Sequence, residues 1–94
     1  MRNDELREEL QHQYDNELIF FDMVAYDNSI IGITTDNRVV YSFSQMVEEL
    51  SRDLEIDELD AIEWIEYNTI RALAYFSEPN APIIVYDVIR GDYE

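Results

Sequence analysis

The chain has 94 residues, 47% hydrophobic and 13% aromatic, with 22 acidic against six basic residues and a formal net charge of -16. That length supports one domain with a modest core, and the apolar content excludes a disordered acidic tail. The lack of cysteine excludes disulfides and thiol chemistry and fits a reducing compartment. The carboxylate excess argues against nucleic acid and anionic membranes as direct partners, since both require neutralising cations.

No apolar run is long enough to span a bilayer, and the start, MRNDELREELQHQ, is too acidic and polar for a signal or transit peptide. A cytoplasmic protein is expected. In NDELREELQHQY, Asn3 is a plausible N-cap, Asp4 and Glu5 fall in the first turn, and Leu6, Leu10 and Tyr14 recur at spacings of four. The single domain, 1–94, is therefore expected to begin with a helix within 1–16, loosely packed because its apolar stripe is narrow.

LIFFDMVAY, 18–26, is rich in aromatic and branched residues and bounded by turn formers, which predicts a strand. Two further β-branched runs, 29–35 and 38–42, flank Asp36 and Asn37, both tolerant of positive φ, and predict a hairpin. Gly32 inside the first run suggests a bulge or a close neighbour. SFSQMVEELSRDL predicts a helix capped by Ser42 or Ser44, with Phe43, Met46, Val47 and Leu50 on one side. Asp57 is placed to cap a longer helix whose core face is Ile62, Ile65, Thr69, Ala72, Leu73 and Phe76. After the breaker SEPNAP, PIIVYDVI over 82–89 predicts a last strand with Pro82 at its first position.

The expected fold is α+β in the order α-β-β-β-α-α-β. An antiparallel sheet of three to four strands would carry two helices on one face, with the short N-terminal helix apart. The last strand is expected beside the first, because LIFFDMVA and PIIVYDVI are apolar on nearly both faces.

Residues 48–66 contain nine acids, Glu48, Glu49, Asp53, Glu55, Asp57, Glu58, Asp60, Glu63 and Glu66, against Arg52 alone. This concentration is either a functional surface or a solubility device. Asp53, Glu55 and Asp57 have the alternation of a calcium loop, but Glu58 replaces the glycine of its sharp turn and Trp64 replaces its bidentate glutamate. No metal site is expected. Asp22 and Asp87 fall in predicted strands and would form a carboxylate pair if those strands were neighbours; ordinary surface positions, or pairing with Arg71 or Arg90, explain them equally. His12, the single histidine, has no serine, cysteine or second histidine placed to work with it. Phosphate loops are excluded by two glycines, Gly32 and Gly91, and no lysine. Trp64, Tyr67, Arg71 and Tyr75 form a second stripe on the long helix, either the rim of the core or an anchor surface of the residue types that dominate interface hot spots.

IGITTDNRVVYSFSQMVEEL and LDAIEWIEYNTIRALAYFSEPNAPIIVYDV, and above all IEYNTIRAL followed by APII, resemble small acidic proteins of unassigned activity from Gram-positive bacteria and their phages and mobile elements. The resemblance covers Ile31 to Val88, with Ala74 where that group is expected to have proline. It transfers no catalytic residues. It implies a mobile-element setting, in which small acidic proteins resemble DNA mimics that block nucleases, including anti-CRISPR proteins.

The function expected is therefore non-enzymatic binding without a cofactor. The acids of 48–66, with Trp64 and Tyr67, would occupy the groove of a basic nucleic-acid-binding protein. The alternative is a structural or self-associating module, dimeric through its sheet face, whose acidity serves only solubility.

Overall fold

The computed structural model describes residues 3–14 and 17–86. Helix α1 (Asn3–His12) is followed by an extended segment and a 3-10 helix (Val24–Ser29). Strands β1 (Ile30–Ile33) and β2 (Val39–Ser42) form a hairpin, and helices α2 (Phe43–Leu54) and α3 (Glu58–Trp64) come next. The helical path of α3 continues through a π-helical stretch (Ile65–Ile70) and ends in a 3-10 turn (Leu73–Tyr75) before strand β3 (Ile83–Val85). The fold is α+β.

The hairpin forms where its turn chemistry places it. Asn37 has φ 67, and its amide donates to the Thr34 carbonyl at 3.0 Å. The Arg38 amide reaches Thr34 Oγ1 at 2.9 Å. The register shifts between Ile30 and Gly32, so the bulge suggested by Gly32 is present, and Ile31 is the extra residue. Both helix caps are as the sequence indicates: Ser42 Oγ accepts from the Gln45 amide at 3.4 Å, and Asp57 Oδ1 accepts from the Asp60 amide at 2.9 Å.

The sheet departs from expectation in two ways. It has three strands in the order β1-β2-β3 and is mixed instead of antiparallel: β1 pairs antiparallel with β2, but β3 runs parallel to β2, Val40 facing Ile83 and Ser42 facing Val85. A parallel pair needs a long crossover, and α2 with the long helix supplies it. The predicted strand over 18–26 does not form. Its amides find partners outside any ladder, Leu18 N donating to Gln11 Oε1 at 2.7 Å and Phe21 N to the Tyr41 hydroxyl at 3.0 Å. With those groups satisfied by side chains, the segment needs no neighbouring strand. Its aromatic content reflects core filling: Leu18, Phe21 and Tyr26 are buried. The last strand therefore joins β2. Arg38 fastens that junction by donating from Nε to the Ala81 carbonyl at 2.8 Å.

The core is built from Leu18, Phe21 and Tyr26, from Val39 and Tyr41, from Met46, Val47 and Leu50, and from Ala61 and Ile65. Leu10 and Tyr14 of the N-terminal segment pack against it. Residues 87–94, which include the end of the predicted last strand, Asp87 and Arg90, lie outside the described residues.

Candidate functional site: an acidic surface beside an aromatic cleft

Helix α2 turns its apolar face inward through Met46, Val47 and Leu50, which sends its acids to the other side. Glu48 and Asp53 are exposed, while Glu49 is half-buried. Glu49 pairs with Arg52 at 3.1 Å and faces Asn28 of the 3-10 helix, whose Nδ2 lies 3.5 Å from its Oε1. Glu55 ends α2 in the left-handed conformation, φ 57 and ψ 47, with its amide directed to the Ser51 carbonyl. Glycine is the usual occupant of such a position, so a glutamate there carries backbone strain while projecting another charge. Asp57 has a structural task as cap, and that task accounts for it without a calcium ion. Among the described residues no group of His, Asp and Glu side chains is placed to hold a metal ion.

On α3 and the π stretch, Asp60, Glu63 and Glu66 are all exposed. They line one shallow concavity together with Trp64, Tyr67 and Asn68. The residues singled out by sequence thus separate into groups. Asp60, Glu63, Trp64, Glu66 and Tyr67 are brought together; Glu49 and Asp53 line a second hollow with Ala25, Asn28 and Arg52. Glu48, Glu55, Asp57 and Glu58 belong to neither depression.

The second stripe of the long helix divides by depth. Tyr67 is 68% exposed and Tyr75 85% exposed, and the Arg71 guanidinium stacks over the Tyr67 ring at 4.8 Å. Trp64 is half-buried and packs on the core. It belongs to the rim, whereas Tyr67 and Tyr75 belong to the surface.

Two features were not read from sequence. The first is a cleft of about 670 Å3 between the segment 19–23 and one side of the long helix, where Trp64, Asn68, Thr69, Ala72 and Phe76 face it. At its base the Tyr26 hydroxyl and Thr69 Oγ1 are hydrogen-bonded at 3.0 Å. Burial raises the Tyr26 phenol above its ordinary range, and the Thr69 bond partly offsets this. A strand over 18–26 would have hidden the cleft, and only the unusual clustering of Phe20, Phe21, Trp64 and Phe76 could have signalled it.

The second is the anchor of α1. Arg7 grips Asp27 with two bonds, Nε to Oδ2 at 2.7 Å and Nη2 to Oδ1 at 2.8 Å, and Nη2 also donates to the Phe21 carbonyl at 2.7 Å. Hydrogen bonding to Asp27 raises the Arg7 pKa further, against the lowering effect of burial. The guanidinium also lies over the Phe20 ring at 4.9 Å.

Asp22 is exposed at the mouth of the cleft and lies in no strand, so the strand pairing imagined for it is absent. Asp87 is outside the described residues. His12 is exposed in the last turn of α1. Among the described residues no helix is long and apolar enough to cross a membrane. No protein-family model matches the chain, and neither a curated protein nor a solved structure does.

Proposed function

We propose that this is a non-enzymatic, cytoplasmic binding protein whose acidic face takes the place of nucleic acid in the groove of a basic, nucleic-acid-handling protein such as a nuclease. The observation that carries this reading is the row Asp60, Glu63 and Glu66, exposed beside Trp64 and Tyr67 in a concavity that no basic side chain lines. Acids three residues apart on an α-helix rise by about 4.5 Å per step, and a phosphate strand rises by about 3.4 Å per nucleotide. The two charge ladders are of comparable pitch. Glu48, Glu55 and Glu58 extend the negative field on either side of the α2–α3 connection, all exposed.

Attraction of this kind is summed over many weak pairs, each worth about 0.2 to 1 kcal/mol when exposed. No single carboxylate is therefore essential, and joint neutralisation is damaging. Replacing Glu55, Glu58, Glu63 and Glu66 together by glutamine keeps size and helix propensity while removing four charges. Binding to a basic DNA-handling protein captured by the wild type should weaken by about 1 to 4 kcal/mol, mainly through slower association, as measured by surface-immobilised kinetics. A quadruple variant that binds as tightly as the wild type removes this reading.

The alternative, a self-associating module, drew its support from a strand over 18–26 with an uncovered face. That segment forms no strand, and Leu18 and Tyr26 are buried within the monomer. A mass that rises with concentration at high salt would nevertheless favour it.

A further inference from the structure

The cleft and the acidic concavity share a wall, for Trp64 and Asn68 line both. A ligand seated in the cleft and crossing these residues meets Asp60, Glu63 and Glu66 on the far side and Asp22 at the near lip. Inside, the cleft is aromatic and aliphatic. Its two buried polar side chains, Tyr26 and Thr69, satisfy one another, so an apolar group entering strips no polar atom of its partner. The walls are held in place by ring contacts, Phe21 against Phe76 at 6.5 Å and Phe21 against Tyr26 at 6.0 Å. Arg7 lies over Phe20 but is committed to Asp27 and the Phe21 carbonyl. It therefore leaves the negative charge at the mouth uncompensated.

We propose that this cleft is the anchor site for an apolar side chain carried on a basic protein segment, with flanking Arg or Lys residues held by Asp22 on one lip and by Asp60, Glu63 and Glu66 on the other. The occupant is a polypeptide and not DNA, because a phosphate backbone would meet these carboxylates unscreened. The inference rests on the acidic-binding reading and adds to it a plug that charge mimicry does not require. Carboxylates steer and align the partner, and the buried anchor sets its residence time.

The test uses a short peptide in which a Phe-Leu pair is flanked on both sides by Arg and Lys, and a twin with Gly-Ser in place of the pair. The chain contains a single tryptophan, and Trp64 sits on the shared wall, so its emission reports occupancy directly. The Phe-Leu peptide is expected to bind about tenfold or more tighter than its twin, the increment of one buried apolar side chain, and to shift Trp64 emission. Ala72→Phe, which fills the cleft from the helix side, should abolish that advantage while leaving the twin's binding unchanged. Asp22→Arg, at an exposed position that does not support the core, should weaken the Phe-Leu peptide more than the twin. Equal affinity of the two peptides with unmoved Trp64 emission overturns the anchor site and leaves the acidic surface standing. Failure of both peptides to bind overturns the two together. A Phe-Leu advantage that survives Ala72→Phe and Asp22→Arg overturns the location.

Discussion

Asp27 is only 1% exposed, and a lone carboxylate at that depth would be costly. Arg7, twenty positions earlier, satisfies both of its oxygens. The pair therefore ties α1 to the 3-10 helix in a way that the narrow stripe of Leu6, Leu10 and Tyr14 did not disclose. Arg7→Leu should lower stability by about 2 to 4 kcal/mol, because it leaves the buried charge without a partner. Arg7→Leu combined with Asp27→Leu should cost less than Arg7→Leu alone in urea denaturation. Tyr41 gives a second residue-scale expectation. Burial pushes its phenol from 10.0 up to about 12, with the hydrogen bond from the Phe21 amide acting in the opposite direction. Because the folded state holds this proton more tightly than the unfolded chain, the stabilisation is fully present below pH 10. It is lost as pH rises toward about 12, by about 2 to 3 kcal/mol in total. Tyr26, also raised by burial, acts in the same direction. Urea midpoints measured between pH 8 and pH 12 should fall over that window, and Tyr41→Phe should flatten the fall while costing about 1 kcal/mol at neutral pH.

At the scale of elements, the long helix shows what periodicity conveys and where it stops. Its start, its cap and the burial of Ile65 and Thr69 were legible from Asp57 and the spacing of apolar residues. The π-helical stretch from Ile65 to Ile70 was not, because wide turns leave no mark in a pattern read at the α period. They shift the phase of everything that follows. Ala61, Ile65 and Thr69 become the buried line, while Ile62, Ala72, Leu73 and Phe76 are half-buried. Ile65→Ala should therefore cost about 2 to 5 kcal/mol, and Leu73→Ala distinctly less; equal losses in thermal melts would place Leu73 deeper than it lies. The hairpin, the Gly32 bulge and both caps were legible because each rests on local chemistry. The segment 18–26 was not, because its aromatic residues answer to tertiary packing, which here overrode strand propensity. The position of β3 depended on that same segment and was displaced with it.

For the molecule as a whole, the acidic surface was legible from composition alone, since a carboxylate row flanking an apolar helix face has nowhere to go but outward. The cleft beside it required the third dimension. A net charge of -16 opposes compaction through self-repulsion, and the acids of 48–66 gather on the α2–α3 surface, where a basic groove would relieve that repulsion. If this surface stands in for nucleic acid, the protein and a DNA duplex must exclude one another from the partner. The decisive measurement is a competition at fixed ionic strength, in which labelled duplex carrying the partner's own site is titrated into the preformed complex and both components are followed by anisotropy and mass. The account predicts mutually exclusive binding, with release of the acidic protein as the duplex binds and an affinity for the partner that falls steeply with added salt. A stable ternary complex of acidic protein, partner and duplex would contradict it.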